Sequence, residues 1–237
     1  MAVLEDLLVV QEHDSAIDRL RYKKETLPEQ ARLAEVEKAL AALDASTAEV
    51  GARRDDVARR QQRHEDELSS VETKIGEVEK RLYSGAVSAP RELQAMQADV
   101  ASLNRHRSDI EDRVLETMQE REPLDAELTA FAEQRAGLEA EADQLRQAIA
   151  EQVGEIDAEL ATELEARQTA AASIPDDLIG QYERLRGKQG GVGAARLVNG
   201  RCSGCHLTLP ATELDRIRRE PAGTVVLCDQ CGRILVP

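Results

Sequence analysis

The sequence predicts a mainly α fold: a long antiparallel helical, coiled-coil hairpin followed by a small β-rich module at the C-terminus. Three observations predict it. Apolar residues recur in alternating steps of three and four along two long stretches. One short run of turn residues separates those stretches. All four cysteines and most of the glycines lie beyond residue 173.

Composition supports the same class. The chain has 237 residues, of which 41% are hydrophobic but only 2% aromatic, namely Tyr22, Tyr83, Phe131 and Tyr182. Aromatic side chains usually dominate a globular core, so the material for a thick core is missing. With 32% charged residues and abundant Ala, Glu, Leu and Arg, the composition is that of a long-helix protein. The net charge is −15, and it is unevenly placed. Residues 1–173 carry 22 Lys+Arg against 39 Asp+Glu, whereas residues 174–237 carry 9 against 7. Two domains are expected on this basis: a hairpin over 1–173 and a cysteine-bearing module over 174–237. The first ten residues carry acids where a signal peptide needs bases. No segment approaches the roughly 20 apolar residues of a membrane helix. The expected location is therefore the cytoplasm, with no membrane partner.

Along the chain, residues 3–26 should form a separate helix, with Leu4, Leu7, Leu8, Ile17 and Leu20 turned onto the 145–170 stretch. Pro28 ends that helix, because proline lacks an N–H and its ring clashes with the preceding turn. From Leu33 the 3/4 walk runs through Val36, Leu43, Val50, Val57, Val71 and Ile75 to Leu82, the inward positions of a coiled coil. Residues 84–90 supply the reversal, and Pro90 suits the first turn of the returning helix. The second walk runs from Leu93 through Ile110, Leu124 and Leu138 to Ile149. Val153, Ile156, Leu160 and Leu164 continue it in a shifted phase. Pro123 should kink the returning helix, for the same reason that Pro28 interrupts the outgoing one. Arg54, Gln61, His64, Arg107 and Arg121 interrupt the seam at mid-arm. Long Arg stems leaving a partly buried seam account for this better than a mid-arm binding site.

The strongest chemical signal is Cys202-x-x-Cys205 with Cys228-x-x-Cys231, separated by 22 residues. Two such pairs read as a four-thiolate zinc site. A two-residue spacing lets a tight turn aim both sulfurs at one ion, and Gly204 and Gly232 stand where those turns need relief. Four sulfurs complete the tetrahedron and leave no open position, so the ion, one Zn²⁺, is structural and the protein is not an enzyme. His206 stands beside the first pair as a replacement ligand, but four cysteines already close the site. Cys202-Ser-Gly-Cys205-His206 also fits a c-type haem attachment pattern, which needs export, and a thioredoxin-like dithiol needs a βαβ context that is absent.

The flanks of the cysteines fit a zinc ribbon. Residues 224–227 and 233–236 read as one strand pair. Residues 196–198 and 206–209 read as another, and residues 212–219 as a short helix with Thr212 as its N-cap. Arg216, Arg218 and Arg219 on that helix are the candidate nucleic-acid contacts. Four thiolates and one zinc bring this module to about neutral, a weak footprint for phosphate. The glycine-rich run 187–193 lacks the ending of a phosphate loop and reads as a linker. His13, His64 and His106 stand apart as helix-surface or seam residues.

The sequence resembles a bacterial family with a long coiled-coil hairpin and a C-terminal four-cysteine zinc ribbon. The resemblance rests on Pro90-Arg-Glu-Leu-Gln-Ala-Met96, Ile174-Pro175, Tyr182-Glu-Arg-Leu-Arg186, Asn199-Gly-Arg-Cys-Ser-Gly-Cys-His206 and Cys228-Asp-Gln-Cys-Gly-Arg-Ile-Leu235. It implies that Cys202, Cys205, Cys228 and Cys231 hold the zinc. Some relatives in flagellated bacteria and chlamydiae look like adaptors for the nitrogen-type sigma factor, flagellar export components or a flagellin messenger RNA. The resemblance does not choose among these. The expected function is a non-enzymatic adaptor binding a protein partner, in transcription or assembly, as a monomer or dimer. Exposed seam residues and the hairpin tip over 83–93 are its candidate contacts. The alternative is a ribbon that binds RNA or DNA.

Overall fold

In the computed structural model, residues 2–221 and 223–237 are described. Helix α1 spans Ala2–Glu25, α2 Pro28–Tyr83, α3 Pro90–Ala171, α4 Asp176–Lys188 and α5 Ala211–Arg219. Strands β1 (Ala194–Val198), β2 (Arg201–Cys202), β3 (Val226–Leu227) and β4 (Ile234–Val236) form one sheet in the order β2-β1-β4-β3. Prolines open both long helices, at the first position where a missing N–H is harmless. The fold class is the expected one. By packing, the chain forms two compact units: Met1–Arg32 with Leu145–Pro237, and Leu33–Gln144. The change of composition near residue 173 thus falls inside the first unit.

The second unit is the arm. At about 1.5 Å per residue its outgoing helix is roughly 75 Å long. Every position on the first walk from Leu33 to Leu82 is buried or half-buried. The packing falls into two patches, Val50, Val57 and Leu124 with Leu128 and Phe131, and Val71, Ile75 and Ile110 with Leu68, Leu103 and Val114. Two helices alone cannot bury all sides of a seam, so within these two patches Ile110 is fully enclosed while the other buried members keep 6–9% exposure. Pro123 does not end the returning helix, which is continuous from Pro90 to Ala171. Leu124, packed in the seam, holds the segment helical through the one lost hydrogen bond.

Three of the polar mid-arm residues form one network across the seam, while Arg107 pairs along its own helix with Glu111 at 3.3 Å. Arg121 donates to Gln61 Oε1 at 3.1 Å and shares Asp125 with Arg54. Arg135, on the second walk, stays exposed and reaches Asp44 and Glu139. A seam polar pair fixes register at some cost in stability. Gln61→Leu with Arg121→Leu should therefore raise arm stability by about 1–2 kcal/mol, since replacing both partners strands neither and the half-exposed Asp125 keeps Arg54. Thermal melting followed by circular dichroism checks this; a lower midpoint in the double variant would contradict it.

The first unit has three layers. Helix α1 lies antiparallel to the end of α3, with Lys24 on Asp157, His13 Nδ1 2.7 Å from Glu163 and Asp6 on Ser173. The sheet lies on α1 through one face, where Leu4, Leu7 and Val10 meet Ala194, Ile234 and Val236. Its other face carries Ala195, Val226 and Leu235 against Ile217 of α5 and the cysteines. This is why all three residues of β4 are buried: a strand covered on both faces reads as an unbroken apolar run.

Three local expectations need correction. Leu164 is 45% exposed; the inward position there is Glu163, which faces His13. Residues 206–209 contribute only an isolated bridge from Thr208 to Arg201, and β2 is Arg201–Cys202 instead. Thr212 lies inside α5, whose cap is Pro210 in extended backbone with no side-chain cap.

Candidate metal centre

The four cysteines sit on two matched turns. Cys202 ends β2 and Cys228 follows β3; each is at most 1% exposed, while Cys205 and Cys231 are half-buried. In the first turn Cys202 N–H donates to Leu207 O at 3.1 Å, and His206 N–H to Cys202 O at 2.8 Å. In the second, Cys228 N–H donates to Arg233 O at 2.8 Å, and Gly232 N–H to Cys228 O at 2.7 Å. The fifth position of each turn is left-handed: His206 at φ 61° and Gly232 at φ 72°. Gly204, expected to relieve the first turn, serves another purpose. A Cβ there would lie 2.6 Å from Arg233 Cδ and 3.0 Å from Ala195 Cβ, so space, not dihedral freedom, requires glycine.

The four Sγ atoms all lie within 4.8 Å of one another, with Cys202–Cys231 at 3.9 Å and Cys205–Cys228 at 4.0 Å. Four thiolates about 2.3 Å from one zinc stand roughly 3.8 Å apart. The cluster therefore fits a single tetrahedral ion, and it gathers without His206. Backbone N–H groups of Gly204 and Cys205 face Cys202, and those of Gln230 and Cys231 face Cys228. Burial nevertheless pushes Cys202 up and Cys228 up to about 12. For Cys231 burial opposes ionisation but is outweighed by donors from the Arg233 backbone and guanidinium, which bring it down to about 7. Cys202 and Cys228 thus resist ionising singly. A divalent cation reverses this and holds all four as thiolates.

The short-helix arginines are unequal. Arg216 donates to Glu213 at 3.0 Å and faces Asp229 of the second turn at 3.8 Å, tying α5 to the cysteines. Arg218 is 3.7 Å from Asp215 with its side chain 77% exposed, and Arg219 is exposed. Their charges are thus partly offset within α5.

Sequence reasoning passed over a buried polar network beside the centre. Asp14, with its side chain 4% exposed, accepts from Tyr182 Oη at 2.7 Å and from Arg167 Nε at 2.7 Å, with Arg186 Nε at 3.7 Å. Arg186 also donates to Asp18 at 2.6 Å. Gln11, 6% exposed, accepts from Gly193 N–H at 2.6 Å and donates to Gly191 O at 3.0 Å. The signal was present: Gln11 and Asp14 occupy inward positions of the stripe formed by Leu7, Val10 and Ile17, where a polar residue needs a partner.

Residues 201–235 match the model of a C4-type zinc ribbon domain, and residues 10–190 that of a CT398-like coiled coil hairpin domain. The chain belongs to the CT398-like coiled coil hairpin family. Its cofactor is one structural zinc. Two of the most similar curated relatives are Mycobacterium tuberculosis proteins, Rv2229c of strain H37Rv and MT2288 of strain CDC 1551. Each is 30% identical over 230 residues, 97% of this chain and 93% of the relative. A solved structure from Mycobacterium smegmatis aligns with TM-score 0.86 and 26% identity over 99% of this chain and 97% of that one. CT398 from Chlamydia trachomatis aligns with TM-score 0.69 and 22% identity over 99% and 97%. HP0958 from Helicobacter pylori aligns with TM-score 0.52 and 16% identity over 99% and 96%, a likeness of fold alone. Neither matching domain model is an enzyme family. Among the described residues no helix is long and apolar enough to cross a membrane.

Proposed function

We propose that this CT398-like protein is a non-enzymatic cytoplasmic adaptor that binds a protein partner along its arm, in transcription or assembly. The observation that carries the reading is the exposed apolar pair on α3: Leu115 is 55% and Met118 48% exposed. They lie one turn apart on the flank of the helix beside the seam, and with Gln119, Arg121, Glu122 and Asp125 they line a shallow groove. At the hairpin tip Tyr83 is 81% exposed. Exposed large apolar side chains grouped on a helix face mark partner sites more often than solitary ones do. The closed sulfur cluster supports a scaffolding rather than catalytic metal.

A second reading, nucleic-acid binding by the ribbon, is favoured by the exposure of Arg218 and Arg219. Capture from a host lysate distinguishes the two, using the full-length chain, a Leu115→Ala/Met118→Ala variant and an Arg218→Ala/Arg219→Ala variant. The adaptor reading expects loss of a nuclease-resistant partner only in the first variant, with weak salt dependence. Loss confined to the arginine variant, with capture abolished by nuclease and falling steeply with salt, would replace it by the second reading. A protein partner retained by both variants would remove the arm site.

A further inference from the structure

The glycine-rich segment after α4, expected from sequence to be a linker, is held from two sides. Arg233, directly after the second cysteine turn, donates from Nε to Val192 O at 2.9 Å and from Nη2 to Gln189 O at 2.8 Å. The same guanidinium donates toward Cys231 Sγ. Its stem fills the space above Gly204, where a Cβ would lie 2.6 Å from Cδ, so it is wedged between both cysteine turns. From the other side Gln11 of α1 takes Gly193 N–H at 2.6 Å and Ala194 N–H at 3.3 Å and gives a hydrogen bond to Gly191 O at 3.0 Å. Gly193 is packed so closely on Tyr182 that a Cβ would lie 2.7 Å from its ring. Apart from Val192 and the buried Ala194 at its end the segment has no apolar side chain, so it is ordered mainly by these contacts and by backbone bonds from Gly191 N–H to Arg186 O at 3.1 Å and from Ile234 N–H to Gly193 O at 2.9 Å.

We infer that Arg233 couples occupancy of the metal centre to the docking of residues 187–194 on α1. With the four sulfurs gathered round an ion, both turns are fixed and the planar fork of Arg233 is aimed at two carbonyls at once. Without the ion, the sulfurs have nothing to converge on. The wedge between the turns opens, and the fork loses the geometry that bridging two acceptors demands. Residues 187–194 then lose the two carbonyl bonds that tie them to the second cysteine turn and are left with Gln11 and the backbone bond from Ile234 N–H to Gly193 O at 2.9 Å. The metal thus governs the state of the α1 face as well as of its own knuckles. The coupling runs through one side chain whose loss leaves all four sulfur ligands in place.

Hydrogen exchange on the full-length chain tests this, comparing wild type and Arg233→Lys, each zinc-loaded and each treated with a chelator plus a thiol reductant. Lysine keeps a cation near Cys231 but cannot bridge both carbonyls. Metal analysis must show one zinc per chain in both loaded proteins; if Arg233→Lys loads less, Arg233→Gln, which retains a donor, replaces it. The loaded variant should exchange roughly tenfold faster than wild type across 187–194, and faster at residues 8–14, with Cys202–Cys205 unchanged. Chelation should accelerate 187–194 in both proteins, but by a roughly tenfold larger factor in wild type, because the variant has already lost the Arg233 bridge. Equal protection in the two loaded proteins, or the same acceleration by chelator in both, would overturn the coupling.

Discussion

Cys228→Ser should abolish zinc binding and unfold the C-terminal module, while the arm keeps its helical signal. Cys228 is 1% exposed and belongs to the apolar cluster with Ala195, Leu235 and Ile217. Beyond that cluster the module has only short strands, two of them two residues long. Structural zinc contributes on the order of 10–16 kcal/mol to such folds, as much as the whole net stability of an ordinary domain. No local repacking replaces it. Because the opposite face of the sheet packs on Leu4, Leu7 and Val10, α1 and α4 should lose protection with it. The arm rests on its own clusters around Val57 and Ile110 and should melt separately. Metal analysis, circular dichroism and hydrogen exchange read the outcome. A variant still carrying one zinc, or strands still protected after chelation, would show that the ion does not hold the module together.

Asp14→Ala should be the most damaging substitution distant from the cysteines, costing about 2–4 kcal/mol of first-unit stability. It strands the buried hydroxyl of Tyr182 and takes one of two carboxylates from each of Arg167 and Arg186, which keep Glu183 and Asp18. Removing one member of a buried charge network costs more than the network contributes net. Tyr182→Phe removes only one donor and should cost about 1–2 kcal/mol. The tyrosine also sets an alkaline limit. Burial first, and then its hydrogen bond to Asp14, raise the Tyr182 pKa above its ordinary value of 10.0. The folded state therefore keeps a proton that the unfolded chain releases. This contribution is complete below pH 10 and declines above it, by at most about 1.4 kcal/mol per pH unit. Urea titrations between pH 8 and 11 should show the decline in wild type and a smaller one in Tyr182→Phe. Identical slopes would remove Tyr182 as its source.

Exposed Leu115 and Met118 bear on how the arm is read. Both fall off the 3/4 walk, and their size sets them apart from the Glu, Arg and Gln that fill other positions off it. Their neighbours Arg121 and Asp125 are engaged with the seam, which leaves the apolar pair as the chemically distinct part of that face.

Local pattern by itself determined the helical seam, the reversal between Tyr83 and Pro90, the strands Val226–Leu227 and Ile234–Val236, and the convergence of four cysteines. Each is encoded within a few residues, as a 3/4 spacing, a proline at a helix start or a pair of close thiols, so no knowledge of distant partners is needed. Only tertiary structure decided that α1 covers one face of the ribbon sheet, that Asp14 gathers Arg167, Tyr182 and Arg186, and that Gln11 and Arg233 grip the glycine segment. The hydrogen bonds of Asp14 and Gln11 join residues 153 to 183 positions apart and the α1–sheet contacts residues farther still, whereas the Arg233 bonds span 41 and 44. A polar residue within an apolar stripe announces that it needs a partner, but which one it meets depends on how whole helices dock, and that is settled by burial summed over the unit.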